Sequence, residues 1–191
     1  TAAPSVTVDI AATALKAGET SSVTLTFNEA PQGFALGDIA SAQGSFSGLT
    51  ATANPLVWTA TFTPNTNIDD TATVTVTAGS YTDVAGNLGT AGSDTALVDT
   101  QGPAAPTLAL TTDSGISGSD KITNVGALTV GGTETGATLQ YSTNGTDWSS
   151  SFTPAQGSNT VYVRQTDSAG NVSPSSPALT FTYDTAAPSV T

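Results

Sequence analysis

The sequence predicts an all-β protein of two tandem sandwich domains, and three features of the 191-residue chain support this prediction. Apolar residues alternate with Thr or Ser over short runs, which is the pattern of strands with one buried and one exposed face. Gly, Pro, Asn and Asp separate these runs at short intervals, as turns require. The chain is also long for one domain and suits two of about 100 residues each.

The predicted strands follow in order along the chain. In the first half, alternating runs lie at 5–10, 22–27, 57–62, 72–77 and 96–98. In the second half, they lie at 108–110, 128–130, 139–142, 160–164 and 179–183. No segment has a convincing helical period. About seven short strands per half are typical of an immunoglobulin-like fold, so we predict two tandem immunoglobulin-like β-sandwich domains joined end to end by a short linker.

Internal repeats set the predicted domain boundaries. Residues 1–7 and 185–191 share the sequence TAAPSVT, which gives a period of 184 residues (185 − 1). An Asp-Thr pair followed by proline marks a linker at 99–103 and again at 184–188. We therefore expect one domain at 1–99, a second at 100–184, and the start of a further repeat at 185–191. The chain is then one period of a longer array.

Composition argues against several kinds of function. Fifteen acidic residues face three basic ones, for a net charge of −12, so neither nucleic acid nor an anionic membrane surface is an expected partner. The chain has no Cys, His or Met, which removes disulfides, thiolate metal sites and His-based catalysis. It has no apolar run of membrane length. Any bound metal is expected to be a hard cation held by oxygen, although solubility is a second explanation for the acidity.

A six-residue segment occurs once in each half and carries the candidate chemistry. Residues 82–87 read TDVAGN and residues 166–171 read TDSAGN. Each precedes the last strand of its half, which predicts an F–G loop. In this fold the F–G and B–C loops lie at the end where the chain enters the domain, which we call the upstream end. Glu29 and Glu134 occupy the predicted B–C loops.

Carboxylates are therefore expected to converge at each upstream end. The predicted group is Asp99, Glu134 and Asp167 in the second domain, and Glu29 and Asp83 in the first. An Asp expected just before the first residue would complete the first group. Like charges in a small volume repel one another, and a bound divalent cation removes that repulsion.

Calcium is the predicted cation, because it tolerates irregular shells of six to eight oxygens whereas Mg²⁺ requires tighter geometry. Backbone carbonyl groups and Asn87 or Asn171 would complete the shell. The alternative is that each segment is only a tight turn, since Asp, Gly and Asn are favoured there for local reasons.

The other acidic residues are weaker candidates. Asp113 and Asp120 bracket a Ser- and Gly-rich predicted A–B loop at the opposite, downstream end of the second domain. There they would join Asp184 in a site completed by a following domain, or would simply be solvated. Asp9 and Glu19 are the corresponding pair in the first domain. The remaining loop acids are interpreted as turn residues: Asp38, Asp69, Asp70 and Asp147.

Catalysis is not predicted, because a Ser or Thr nucleophile needs an activating base and the chain has no His. Trp58 and Trp148 are interpreted as sandwich core or strand-edge packing. The competing function is a ligand-binding module that recognises a glycan or a protein through exposed loops. A shallow patch around Trp148 or Tyr141 would favour it.

The chain resembles the tandem bacterial Ig-like domains of giant repetitive adhesins, the RTX-type surface proteins exported by type I secretion. The resemblance covers essentially the whole chain. Residues 27–39 and 81–87 resemble one subtype, and residues 141–148 and 163–173 resemble another.

The resemblance implies surface-displayed β-sandwich repeats that bind Ca²⁺ near domain junctions and so stiffen an extended stalk. It implies ligands at the internal junction and at the first upstream end, namely Asp99, Glu134, Asp167, Glu29 and Asp83. The expected protein is an extracellular, monomeric extender on the bacterial cell surface, with neighbouring repeats of the same chain as its partners and with no enzymatic activity.

Overall fold

The computed structural model describes residues 2–189, which form two compact units that separate after Gln101. Strands in paired sheets build both units, and the helical structure of the described residues is one 3-10 turn at Leu36–Asp38. The prediction of an all-β chain is confirmed. The expected start of a further repeat lies partly outside the described residues, since it includes Val190 and Thr191. None of the helical structure at 2–189 is long and apolar enough to cross a lipid bilayer.

The first unit has eight strands in two four-stranded sheets. They are β1 (Val6–Ile10), β2 (Ala14–Lys16), β3 (Ser21–Phe27), β4 (Ile39–Ala40), β5 (Gly44–Ala51), β6 (Val57–Pro64), β7 (Asp69–Val76) and β8 (Gly92–Asp99). One sheet has the order β1-β3-β6-β5 and the other β2-β8-β7-β4. In immunoglobulin nomenclature these are the A-B-E-D and A′-G-F-C sheets, so the predicted sandwich is confirmed.

Period-two alternation explains how these strands pack. In β1 and β3, every second side chain is buried, which directs one face of the sheet into the core. The rings of Phe27, Phe34 and Tyr81 extend this core to the upstream end, where Phe27 lies 5.0 Å from Phe34 and 5.1 Å from Tyr81, both edge to face. Tyr81 immediately precedes the TDVAGN segment, so the aromatic cluster fixes the base of that loop.

The second unit has six strands among its described residues, fewer than the seven or so predicted. They are β9 (Thr107–Leu110), β10 (Ile122–Thr123), β11 (Leu128–Gly131), β12 (Thr138–Ser142), β13 (Gly157–Thr166) and β14 (Leu179–Tyr183). One sheet has the order β10-β14-β13-β12, and β11 pairs with β9 alone. Residues 143–156 form no strand, because this segment holds an Asn-Gly turn, a run of Ser and Pro154, which has no N–H for a ladder.

Two further predictions are corrected by the strand assignments. Asp69 and Asp70 are not turn residues: they begin β7, where Asp69 is opposite Asp99 across the sheet. The loop that holds Asp113 and Asp120 connects β9 to β10 and is therefore an A–A′ loop, not an A–B loop. The short strand β10 was missed because two residues are too few to show alternation.

Candidate metal-binding loops

The two six-residue segments adopt the same structure in the two units. Residues 82–87 follow β7, and residues 166–171 begin with the last residue of β13 and continue after it, so both segments lie in the F–G connection, where the sequence predicts them. A bridge between Thr82 and Leu88 closes the first loop, and a bridge between Thr166 and Val172 closes the second. Each loop is therefore a small hairpin with the Asp at its start.

In the first loop, the Asp83 carboxylate is bound by the loop itself. Its Oδ1 accepts the Asn87 backbone N–H at 2.8 Å and its Oδ2 accepts the Asn87 Nδ2 amide at 2.6 Å. Gly86 has φ +85°, a left-handed conformation that favours glycine and lets the chain turn back. The pKa of Asp83 is lowered, first by the side-chain hydrogen bond from Asn87 and then by backbone N–H groups of the loop.

The second loop repeats this arrangement. Oδ1 of Asp167 accepts the backbone N–H groups of Gly170 at 2.7 Å and Asn171 at 2.8 Å, and Oδ2 accepts the Asn171 Nδ2 amide at 2.9 Å. Burial acts to raise the pKa of Asp167, but the hydrogen bonds from Asn171 and its neighbours outweigh it and the pKa is lowered. Each loop thus holds an ionised carboxylate that already has several donors.

The upstream end of the first unit gathers three segments, as the sequence predicts. The B–C loop pairs with the F–G loop through Gln32 and Thr82, whose N–H groups each donate to the other's carbonyl oxygen, at 2.8 and 3.1 Å. The incoming chain joins both loops, because the Ser5 N–H donates to Asn28 Oδ1 at 2.8 Å and Pro4 O accepts the Thr90 N–H at 2.8 Å. Glu29, next to Asn28, is half-buried.

In the second unit, a buried glutamine holds the same three segments together. Gln165, 1% exposed, donates from Nε2 to Ala104 O of the incoming linker at 2.8 Å and to Gly132 O of the B–C loop at 3.1 Å. Its Oε1 accepts the Glu134 backbone N–H at 2.8 Å. Sequence reasoning missed Gln165. The sequence does contain a signal for it: Gln165 comes two residues after Val163 and so lies on the inward face of β13, where a polar side chain is buried and needs hydrogen-bond partners.

Each linker is held by the unit that it leaves. Thr100 is buried, and its hydroxyl donates to Asn65 O at 2.8 Å and accepts the Ile68 N–H at 2.9 Å. Asp99 Oδ1 accepts the Gln101 N–H at 3.1 Å.

The second linker is held in a similar way. Asp184 Oδ1 accepts the Ala186 N–H at 2.9 Å and the Gln156 Nε2 amide at 2.6 Å. Both linker aspartates therefore stabilise the turn that follows them.

The downstream acids of the second unit are also bound by their own loop. Asp113 Oδ2 accepts the Lys121 N–H at 2.9 Å and Asp120 Oδ1 accepts the Ile122 N–H at 3.0 Å. Asp113 Oδ1 is buried without a hydrogen-bond partner among residues 2–189.

The structure brings together some of the predicted ligands but not all. Asp83 meets Asn87, and Asp167 meets Asn171. Within residues 2–189, no group of three or more acidic side chains is close enough to hold a metal ion. The residues fit a cation in part: the oxygens are ionised, but loop donors occupy some of their lone pairs.

Family models match nearly the whole chain. A model of the bacterial Ig-like domain matches residues 1–100, and a second, different model of the bacterial Ig-like domain matches residues 101–185. No curated protein matches the chain.

Several solved structures are loosely similar to the chain. The adhesin InvE of Yersinia pseudotuberculosis is 15% identical with a TM-score of 0.37, over 94% of this chain and 58% of the adhesin chain. The fibronectin(III)-like modules of CbhA from Clostridium thermocellum are 13% identical with a TM-score of 0.38, over 93% of each chain. The bacterial S-layer protein SbsC is 16% identical with a TM-score of 0.33, over 95% of this chain and 26% of that one.

This chain spans little more than half of the adhesin and about a quarter of the S-layer protein. The family assignment comes from the two models, which together cover residues 1–185. The chain therefore belongs to the bacterial Ig-like domain family and contains two of its domains in tandem.

Proposed function

We propose that this chain is an extender segment of a bacterial surface adhesin, which holds a distal adhesive region away from the cell. The observation that carries the proposal is the way the linker is held. Thr100 is bound by the first unit and Ala104 by the second, so residues 101–103 alone lie between the two anchored groups. Pro103 has a fixed φ and is buried. A connection this short suits stacked repeats, whose length grows with their number.

Small-angle X-ray scattering of chains with one, two and three copies of the 184-residue period tests the extender. The maximum dimension should rise by a constant increment with each added copy. A dimension that grows much less than linearly would mean that the copies fold back on one another, and the extender function would be wrong.

Calcium at the upstream ends is the second part of the proposal. Asp83 and Asp167 are ionised carboxylates in matched loops, and the net charge of −12 favours cations in general. Because no three acids are grouped within residues 2–189, the shell would draw largely on backbone carbonyl and water oxygens. Such a site is expected to be weak, with a Kd of about 10⁻⁴–10⁻³ M, which suffices outside cells.

Thermal unfolding in EDTA, in Ca²⁺ and in equal Mg²⁺ tests the calcium part. At roughly ten times the Kd, one site adds about 1.4 kcal/mol to the free energy of unfolding. That corresponds to a rise in Tm of roughly 5–10 °C for a unit of this size. Asp167→Ala should remove the Ca²⁺-specific rise in the second unit, whereas the exposed turn variant Asp147→Ala should keep it. An equal rise in Mg²⁺, or none, would return both loops to ordinary turns.

A second candidate function, glycan binding, is favoured by one surface feature of the second unit. A shallow groove of about 330 Å³ lies beside Tyr141, Trp148 and Phe152 and also exposes Asp147 and several hydroxyl groups. The Arg164 guanidinium lies 4.3 Å from the centre of the Trp148 ring, so this Trp packs at the strand edge.

Aromatic rings beside polar groups suit a sugar, which has both an apolar face and hydroxyl groups. Retention of a glycan by the whole chain, lost in Trp148→Ala, would support this function. If the chain is an extender that does not bind glycans, it should retain no glycan.

A further inference from the structure

The second unit has a chemically labile pair of residues in an exposed turn. Gly145 follows Asn144, and this is the one Asn-Gly pair in the 191-residue sequence. Both residues are exposed and lie just after β12. Gly145 has φ +79°, a left-handed conformation that other residues adopt with strain, so the turn favours glycine at this position. The fold therefore places an unhindered glycine directly after an exposed asparagine.

An asparagine in this position can lose ammonia by reaction with the backbone. The Gly145 nitrogen gives its proton to water and attacks Cγ of Asn144, and the absence of a glycine side chain leaves the approach open. An N–Cγ bond forms, the Cγ–Nδ2 bond breaks, and Nδ2 takes up a proton and leaves as ammonia. Water then opens the cyclic imide. Cleavage of the N–Cγ bond gives an aspartate, and cleavage of the bond to the main-chain carbonyl carbon gives an isoaspartate. The net change is the replacement of ammonia by water, without an oxidant or a reductant.

The folded turn binds every group that takes part in this reaction. Oδ1 of Asn144 accepts the N–H groups of Thr146 at 2.9 Å and Asp147 at 2.8 Å. Its Nδ2 donates to Asp147 Oδ2 at 2.6 Å. The Gly145 N–H donates to the hydroxyl of Ser142, which is 3% exposed, at 2.8 Å. Exposed as it is, the pair is thus held by hydrogen bonds on all sides.

Deamidation must break this network. The Gly145 nitrogen loses the proton that it donates to Ser142, and Nδ2 of Asn144 leaves the Asp147 carboxylate. The nitrogen also becomes anionic in a turn that already holds a carboxylate, and like charges so close disfavour one another. The closed turn therefore slows the reaction, which proceeds when the turn opens.

We propose that Asn144 is a site of spontaneous deamidation and that its hydrogen bond to Asp147 controls the rate. The product cannot restore this bond, because a carboxylate at position 144 has no N–H to donate and repels the Asp147 carboxylate. Asp147 and Trp148 line the groove of about 330 Å³, so the modification adds negative charge beside the groove and releases part of its rim. The reaction is irreversible, and the modified fraction grows with the age of the protein.

Mass spectrometry of the whole chain, incubated in buffer at neutral pH and then digested, tests this site. The reference is a synthetic peptide of residues 140–149, because an isolated turn of this kind is marginally stable and gives the unrestrained rate. Asn144 should be converted in both, and at least about tenfold more slowly in the folded chain, the factor for a hydrogen bond to a charged group. Asn124 is the internal control: it is exposed, but the branched Val125 follows it, so it should stay intact.

The variant Asp147→Ala provides the second measurement. It removes the acceptor of Nδ2 from an exposed position, so the fold should persist and the conversion of Asn144 should become about tenfold faster. Asp120→Ala removes an exposed acid from another loop of the same unit and should leave the rate unchanged. Anion exchange separates the modified chain, which is more negative, and its Trp148 fluorescence should differ from that of the parent in a Trp58→Phe background.

Several results would overturn the proposal. An intact Asn144 in the peptide would show that this pair is not a deamidation site. Conversion of the folded chain at the rate of the peptide would show that the turn does not restrain Asn144. Equal rates in the parent and Asp147→Ala would show that Asp147 does not control the reaction, and unchanged Trp148 fluorescence would show that the groove is not altered.

Discussion

Replacement of Gln165 by Met should destabilise the second unit and leave the first unchanged. Met has a similar volume and fills the buried space, but it removes the hydrogen bonds to Ala104, Gly132 and Glu134. Three hydrogen bonds of about 1 kcal/mol each amount to about 3 kcal/mol. The three partner groups belong to exposed residues and regain water in part, so we expect a loss of about 2–4 kcal/mol.

A loss of this size is a large share of the 5–15 kcal/mol that holds a typical domain folded. For a unit of about 90 residues, it lowers Tm by roughly 10–20 °C. Each unit contains one Trp, so fluorescence reports the two separately: Trp58 in the first and Trp148 in the second. A Trp58→Phe background isolates the second unit, and it removes no hydrogen bond, because the buried Trp58 Nε1 has no partner among residues 2–189.

Gln140→Met is the matched control for this experiment. Gln140 lies on the neighbouring strand β12, is half-buried, and accepts one hydrogen bond from Arg164 Nε at 3.0 Å. Loss of this one hydrogen bond should lower the free energy of unfolding by less than about 1 kcal/mol. If Gln165→Met lowers Tm no more than Gln140→Met does, the buried amide does not hold the upstream end, and the reasoning from its three partners is refuted.

Two further predictions concern the loops of both units. Gly89→Ala should lower the free energy of unfolding by about 1–3 kcal/mol or more, because a Cβ there would overlap the buried ring of Tyr81. In urea denaturation, the control variant Gly37→Ala should match the parent chain, because its Cβ would meet no atom within 4 Å. Equal urea midpoints for the two variants would contradict this prediction. The pKa values of Asp83 and Asp167 are lower in the folded chain than in the unfolded chain, so both ionised carboxylates stabilise the fold. This stabilisation is constant above about pH 4 and is lost as the pH falls through the folded-state pKa values. Urea midpoints followed from neutral to acid pH should fall steeply there, and Asn at both positions should flatten the slope; an unchanged slope would show that these carboxyls do not control it.

The sandwich was predictable because burial of one sheet face leaves a period of two in the sequence. The runs that became β3 and β14 show it clearly, since Val23, Leu25 and Phe27 point inward together, as do Leu179 and Phe181. The short strands β2, β4 and β10 were not predictable, because two or three residues show no period. The second unit has fewer strands than the seven or so predicted, because Pro154 and the Ser-rich turns keep residues 143–156 out of a ladder.

The candidate sites were predictable in position and less so in geometry. Topology alone places the F–G loops at the upstream ends, and the duplicated TDxAGN segment identified them. The direction of each carboxylate depends on local donors that sequence spacing does not reveal. Asp83 and Asp167 turn into their own loops toward Asn87 and Asn171, so their oxygens serve the turn first.

In each unit, a short A′ strand pairs in parallel with the last strand, and this pairing has a mechanical consequence. In the first unit, β2 runs beside β8 with Ala14 opposite Leu97 and Lys16 opposite Asp99. Tension applied through the two linkers pulls these neighbours in opposite directions along their length, so their hydrogen bonds are loaded in shear and must break together. The pairing of β10 with β14 spans two residue pairs instead of three. We therefore expect the second unit to resist such a pull less well than the first.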